Sequence, residues 1–413
     1  MASIKPFRGL RPTPELASKI ASLPYDVMDS EEARALTENN PYSFLRVTKS
    51  EVDLAPEVDP HSPSVYEKAR DNLAAFRLQG FLEQDAEPHF YIYRQEMGSH
   101  VQVGLVAAAS VDEYENNLIK KHELTRPDKE QDRVDHIRTT GAQTGAVFLT
   151  YKANKTVESI IRRCMEKSAV YDFSGVDGVR HTLYVVDSVA DESAIEEAFA
   201  AIPVMYIADG HHRSAAAKRV RDICRNANQN HTGDEEYNRF LAVIFPHNMM
   251  KIMDYNRVVA DLNGLTADSF VSIVREKFVV EEARGGAVKP NQARQFGMYL
   301  DGKWYKLVAR PELYSENDLV ENLDVSVLQN HLLAPVLGIS DPRTDKRINF
   351  VGGIRGMREL ERLVDSGKYV VAFSMFPTSI EELMAIADNG QIMPPKSTWF
   401  EPKLRDAMVV HII

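Results

Sequence analysis

The sequence predicts an α/β or α+β protein in which mixed sheets carry flanking helices. Short runs rich in β-branched and aromatic residues, such as "HFYIYRQEM" (89–97), "GAVFLTY" (145–151) and "RFLAVIFP" (239–246), have the length and make-up of strands. They are interspersed with amphipathic stretches such as "VYEKARDNLAAFRLQGFL" (65–82), whose apolar residues recur at helical spacing. Some strands are joined by hairpins rather than by helices, so parallel and antiparallel pairs are expected in the same sheet.

The elements follow in order. After a Pro-rich start, Ser30 is placed to cap a helix over "SEEARALTENN" (30–40), whose early glutamates suit the helix dipole. "NPYSFLRVT" (40–48) reads as a strand, and the acidic, Pro-containing 50–64 as a loop. The helix over 65–82 ends near Gly80. A hairpin joins 89–97 to 100–111 across Gly98 and Ser99. The charged stretch 117–140 leads into the strand at 145–151. Helix 156–169, strand 181–188 and helix 191–202 come next. An apolar strand, "VMYIAD" (204–209), then breaks at Gly210 and resumes as the helix "HHRSAAAKRV" (211–220). A polar loop (226–238) precedes strand 239–246, and the remainder alternates strands (295–301, 303–309) with helices (326–337, 379–389). There is no internal repeat. The expected division is an N-terminal α/β region, 1–195, and a C-terminal region, 196–413, that carries the Gly210 turn.

Composition narrows the function. With 44% hydrophobic and 26% charged residues over 413 positions, the chain can bury a globular core. Its net charge of −11 and lack of a dense Lys/Arg run disfavour nucleic acid, a polyanion. Two cysteines, Cys164 and Cys224, make neither a disulfide framework nor a zinc spacing and suit a reducing cytosol. The N-terminus has no signal-peptide core, and the longest apolar stretches reach about half of the roughly 20 residues a membrane helix needs. A cytoplasmic protein without a membrane segment is the expectation, with a homodimer left open.

The stretch "YIADGHHRSAAAKR" (206–219) carries the most chemistry. Gly210 permits a tight turn, which puts His211, His212 and Arg213 on the first turn of a helix. Amides there lack partners and the dipole end is positive, so a phosphate or carboxylate is favoured. Arg213 offers a fork for phosphate oxygens, and imidazoles donate as well. Asp209, at the strand end, can orient a donor, accept a proton or hold a metal ion. The alternative is that Asp209 caps the helix while the histidines pack.

Other segments offer further candidates. "KKHELTRPDKEQDR" (120–133) gathers His122, Glu123, Thr125, Asp132 and Arg133; a zincin would need a second histidine at position 126, where Arg126 stands. Glu123 reads as a general base, with His122 and Arg133 near the phosphate, or else the stretch is a solvated charged helix and loop. "PPKSTWFEPKL" (394–404) is a stiff loop with Lys396, Ser397, Thr398 and Lys403 as donors; Trp399 and Phe400 are equally suited to anchoring it. Asp26 in "PYDV" (24–27) is free for a site role. "VGGIRG" (351–356) is only a partial glycine pattern, and His247 and His331 stand alone.

"DGHHR" followed by "SAAA" resembles the signature turn of the ParB/sulfiredoxin superfamily, whose members bind nucleotide phosphates there, and it most resembles that of the free serine kinases. "PYDV", "HELT…DR" (122–133), "ADGHHR" (208–213) and "MPPKSTWFEPKL" (393–404) also resemble a full-length bacterial family labelled ParB-like. Sulfiredoxin chemistry needs a thiol where this chain has His211, and a partition protein needs a basic DNA-reading surface after the turn. What the resemblance implies is therefore phosphoryl transfer, as kinase or phosphohydrolase, on a small hydroxyl metabolite such as serine or phosphoserine. Mg²⁺ with ATP or ADP would serve as cofactor. Gly210, His212, Arg213, His122, Arg133 and Lys396 would hold phosphate; Asp209, Glu123 and His211 would be catalytic; Asp26, Thr125 and Ser397 would meet substrate. A nucleotide-binding regulatory or scaffold protein without turnover is the alternative.

Overall fold

A computed structural model of the chain describes residues 2–315 and 317–413. The chain forms two compact units, one of residues 1–250 and 402–413, the other of residues 251–401. The expected break at 195/196 does not coincide with this division, because Ile195 is fully buried in the middle of the helix Val189–Ala200.

The first unit is built on a nine-stranded sheet. Its strands are β1 (Ile4–Lys5), β2 (Phe90–Met97), β3 (His100–Ser110), β4 (Ile119–Lys120) and β5 (Val147–Tyr151). They continue with β6 (Tyr171–Ser174), β7 (Arg180–Val186), β8 (Met205–Asp209) and β9 (Arg239–Pro246). The spatial order is β4-β8-β5-β9-β3-β2-β7-β6, with β1 against β3. β4 runs parallel to β8 and β5 parallel to β9, whereas the β2–β3 hairpin and the β8–β5 pair are antiparallel. The mixed α/β class is thus borne out.

Helices α1 (Ser30–Thr37), α2 (Pro63–Leu78), α3 (Pro127–Thr140), α4 (Lys155–Cys164), α5 (Val189–Ala200) and α6 (His211–Ala227) belong to the same unit. Strand residues Leu105, Leu149, Ile207 and Ile244 pack with Val157, Ile195 and Phe199 of α4 and α5. Val134 and Ile137 of α3 meet Ala216 and Val220 of α6 in a smaller cluster. That contact holds the charged stretch 120–133 beside the start of α6. Gly104 of β3 allows close packing, since a Cβ there would fall 2.7 Å from the Phe245 ring.

Two local expectations change. Residues 45–48 form a short helix rather than a strand, because Phe44 and Val47, three apart, both turn into a cluster with Ile20, Leu73 and Phe76. α1 is capped by Asp29, reciprocally with Glu32, while Ser30 donates to Glu51 at 2.8 Å.

The second unit holds a six-stranded antiparallel sheet of β10 (Tyr255–Val259), β11 (Phe278–Glu282), β12 (Gln295–Leu300), β13 (Lys303–Ala309), β14 (Ile348–Gly352) and β15 (Val371–Ser374), ordered β11-β13-β12-β15-β10-β14. Trp399 packs edge-on to Tyr255 with ring centroids 5.0 Å apart, and Phe400 pairs with Ile252, so both anchor the 394–401 loop. No helix among the described residues is long and apolar enough to cross a membrane.

Leu149 lies fully buried at the centre of the first sheet. Leu149→Ala is expected to lower unfolding free energy by about 2–5 kcal/mol, read as a fall in the urea midpoint at unchanged slope.

Candidate functional site

Strand pairing assembles the site. In the parallel pair β4–β8, Ile119 lies opposite Met205 and Lys120 opposite Tyr206, so both strands end at the same edge of the sheet. Residues 121–123 and 209–213 therefore meet. The antiparallel β5 starts where β8 ends, with Phe148 opposite Asp209, which brings Gly145 and Ala146 to that edge too. The register of β8 shifts between Ile207 and Asp209, a bulge of the kind that re-aims a side chain.

Gly210 then opens α6 at φ +96°, in the left-handed region that glycine enters without a Cβ penalty. A Cβ there would also lie 3.3 Å from Val147 Cα. The helix runs on for 17 residues, and the Arg213 and Ser214 amides both give to the Gly210 carbonyl, at 3.0 and 3.1 Å.

Asp209 stands half-exposed at this turn. Its Oδ1 accepts the Gly210 amide at 2.8 Å, and its Oδ2 accepts from Lys403 Nζ at 3.1 Å. Burial alone would raise this carboxyl, but the charges of Lys403 and Arg213 outweigh it and hold Asp209 well below the usual carboxylate range. Lys403, rather than Lys396, is the lysine bonded to this carboxylate. Lys396 and Ser397 belong to the second unit, where the Lys396 carbonyl accepts from Arg257 at 2.9 Å and Ser397 donates to the Pro394 carbonyl at 2.5 Å.

His122 and His211 are both buried, and their rings meet edge-to-face with centroids 4.4 Å apart. Their Nε2 atoms face each other at 3.4 Å. Burial pushes His122 down to about 4, and burial together with the neighbouring His122 pushes His211 well below the ordinary histidine value. Glu123, half-buried, completes a group whose potential ligand atoms lie within 4.8 Å of one another. His212 turns the other way, its Nε2 accepting the Arg126 amide at 3.0 Å and tying the start of α6 to the start of α3. Thr125 donates to Glu130 at 2.9 Å.

The arginines depart from expectation. Arg213 is buried and gives Nη1 to the Ala146 carbonyl at 2.5 Å and Nη2 to Asp26 at 2.9 Å. Arg133 gives Nε and Nη2 to Asp132 and stacks over the Tyr25 ring with its guanidinium carbon 3.8 Å from the centroid. Burial opposes ionisation of Asp132, but Arg133 and the bonds from Tyr66 and His61 hold it at about 2. Both guanidinium groups are thus engaged by protein acceptors rather than held open for phosphate, and Asp26 is engaged with Arg213 rather than free. An adjoining pocket is lined by Tyr25, Arg133, His136, Thr144, Gly145 and Arg213.

Two site residues come from the far end of the chain, Lys403, one of the donors read in the 394–404 loop, and Asp406, which no sequence signal places here. Lys403 arrives with the 402–413 segment. So does Asp406, whose backbone pairs with Ser22 and whose buried carboxyl is raised by burial to about 7 despite nearby Arg213, since Oδ2 has no hydrogen-bond partner. His247 and His331, in contrast, are satisfied singly, by the Ala153 amide at 3.0 Å and the Leu313 carbonyl at 2.9 Å. Buried Asn256 bonds Asp254 and the Met375 amide, a packing arrangement.

A model of the family described as "Protein of unknown function (DUF1015)" matches residues 4–326. No curated protein matches the sequence. Among solved structures, a free serine kinase in complex with AMP is similar at 14% identity and TM-score 0.35, over 74% of this chain and 92% of that one. A conserved hypothetical protein from Pyrococcus furiosus is similar at 14% identity and TM-score 0.36, over 75% and 95%. SbnI with a C-terminal truncation, from Staphylococcus aureus, is similar at 10% identity and TM-score 0.38, over 74% and 87%. These likenesses are distant in both sequence and shape.

Arg213→Ala removes a hydrogen bond to a charged partner and leaves the Ala146 carbonyl unpaired, so it is expected to cost about 1.5–3 kcal/mol of stability by urea denaturation. An unchanged urea midpoint would count against this structural role. The raised pKa of Asp406 sets a pH dependence. The folded protein holds this proton more tightly than the unfolded chain, where the carboxyl titrates near about 3.9. Its contribution to stability is therefore complete below that value and lost as pH rises through about 7. Relative to Asp406→Asn, the unaltered protein should lose stability between about pH 4 and pH 7. A difference that stays constant with pH would contradict the shift.

Proposed function

The chain belongs to the DUF1015 family, and from that premise we propose that it catalyses phosphoryl transfer to or from a small hydroxyl metabolite, with serine or phosphoserine the first candidate. The observation that carries this reading is the Asp209–Lys403 pair at the start of α6. Amides at the first turn, following Gly210, suit the oxygens of a transferring phosphoryl group. Lys403 supplies the positive charge that the engaged Arg213 does not.

Asp209 is held ionised, which suits it to orient a hydroxyl or to meet Mg²⁺ carried by a nucleotide, since Mg²⁺ is often bound through one carboxylate plus substrate phosphates. The same depressed basicity makes it a weak proton acceptor. Glu123 is the second carboxylate at the turn. ATP or ADP is the proposed phosphate source.

A specific observation favours a second reading. His211 is buried and Arg213 is taken by Asp26 and the Ala146 carbonyl, so two groups expected to act on phosphate are held within the protein, which fits a nucleotide-binding module without turnover.

Incubating the full chain with Mg²⁺ and ATP or ADP plus serine, or with phosphoserine alone, separates the two. Transfer or release of phosphate is expected, with Asp209→Asn and Lys403→Ala each lowering turnover by about 10²–10⁴-fold. Nucleotide binding without turnover assigns the module instead.

A further inference from the structure

We infer that His122, Glu123 and His211 form a binding site for a first-row divalent transition metal ion such as Zn²⁺. The inference goes beyond phosphoryl transfer and stands without it.

The geometry is that of a ligand set. In a tetrahedral site with metal–nitrogen bonds of about 2.0–2.1 Å, two ligand nitrogens lie about 3.3–3.4 Å apart. The Nε2 atoms of His122 and His211 face each other at 3.4 Å. That separation is long for a nitrogen–nitrogen hydrogen bond, and the rings cross at 84°. Both imidazoles are more than nine-tenths buried, and each presents its Nε2 to the other. An ion between the two Nε2 atoms takes up both lone pairs at once.

Glu123 supplies the third ligand. Its carboxylate lies with the two nitrogens inside 4.8 Å, on a side chain that is only half-buried. Its partial exposure also gives an ion a way in. Two histidines and one glutamate form a three-ligand set that Zn²⁺ accepts while keeping a fourth position for water or substrate. Imidazole nitrogens select against Mg²⁺ and Ca²⁺, which prefer oxygen. The site is therefore chemically distinct from any nucleotide-borne Mg²⁺ at Asp209.

The two histidines lie 89 residues apart in sequence and meet through the parallel pairing of β4 with β8. The fold thus prearranges the site, and the ion need not organise it.

The test uses the full chain, stripped of metal with a chelator and titrated with Zn²⁺ or Co²⁺. One equivalent should bind, with the Co²⁺ form showing the intense visible absorption of a four-coordinate site and Zn²⁺ raising the melting temperature. His122→Ala and His211→Ala should each weaken binding by more than about 100-fold, beyond the loss that outer partners give. His247→Ala, at a histidine outside the site, should leave it unchanged. Binding of less than a tenth of an equivalent, or full affinity in a folded His122→Ala/His211→Ala double variant, overturns the inference. If the alanine variants do not fold, Glu123→Gln decides: an altered Co²⁺ spectrum supports the site and an unaltered one overturns it. Failure of phosphate transfer with metal still bound would remove the proposed function and leave this site in place.

Discussion

The site depends on one short contact, the parallel pairing of β4 with β8. Only two residue pairs make it, Ile119 with Met205 and Lys120 with Tyr206. Parallel strands end at the same edge of a sheet, so this pairing makes two remote segments into neighbours. Antiparallel pairing would have sent His122 to the far edge from Asp209 and His211. The remaining strands support it: β8 is clamped on its other side by β5, and Ile119, Met205 and Ile207 are fully buried in the core. Small displacements at β4 would therefore be felt at the imidazole pair directly, without passing through any loop.

Around that edge the protein concentrates charge that a core normally excludes. Arg213, Arg133, Asp132 and Asp406 are all buried within one region. Removing such groups from water is costly, and the cost is met only where partners satisfy them. Most are satisfied, through Asp26, the Ala146 carbonyl, Tyr66 and the face of Tyr25. Arg213 Nε and Asp406 Oδ2 are left without hydrogen-bond partners, and burial raises the Asp406 carboxyl. Conversely Asp209, bonded by an amide and a lysine, is driven the other way. Two aspartates in one neighbourhood thus acquire opposite acidities, Asp406 raised by burial and Asp209 lowered by the charges of Lys403 and Arg213 that outweigh it.

Much of this was legible in the sequence. The hairpin at 89–111, the strand–Gly210–helix unit and the mixed sheet follow from residue periodicity and from one glycine, because those signals are local. What local signals do not carry is partnership. Arg213 reads as an open fork in any linear view, since nothing nearby in sequence announces that Asp26, 187 positions away, closes it. Lys403 and Lys396 sit in one loop and look equivalent, yet the chain passes between units at residues 401 and 402, and only Lys403 joins the first. The short helix at 45–48 was misread for a related reason: its strand-like residues are set by where Phe44 and Val47 pack, not by propensity.

The same logic explains why a metal motif search fails on this chain. A zincin places both histidines on one helix, four residues apart, so its signature is written in a single segment. Here His122 follows a strand and His211 opens a helix, and Arg126 occupies the position a linear motif would require. A site of this kind is supported by the core of a nine-stranded sheet rather than nucleated by its ion. Small zinc domains behave in the opposite way, because their binding energy is their folding energy. In this protein the two energies are largely separate, so the affinity of the imidazole pair reflects how closely the β4–β8 edge holds two rings at a tetrahedral spacing.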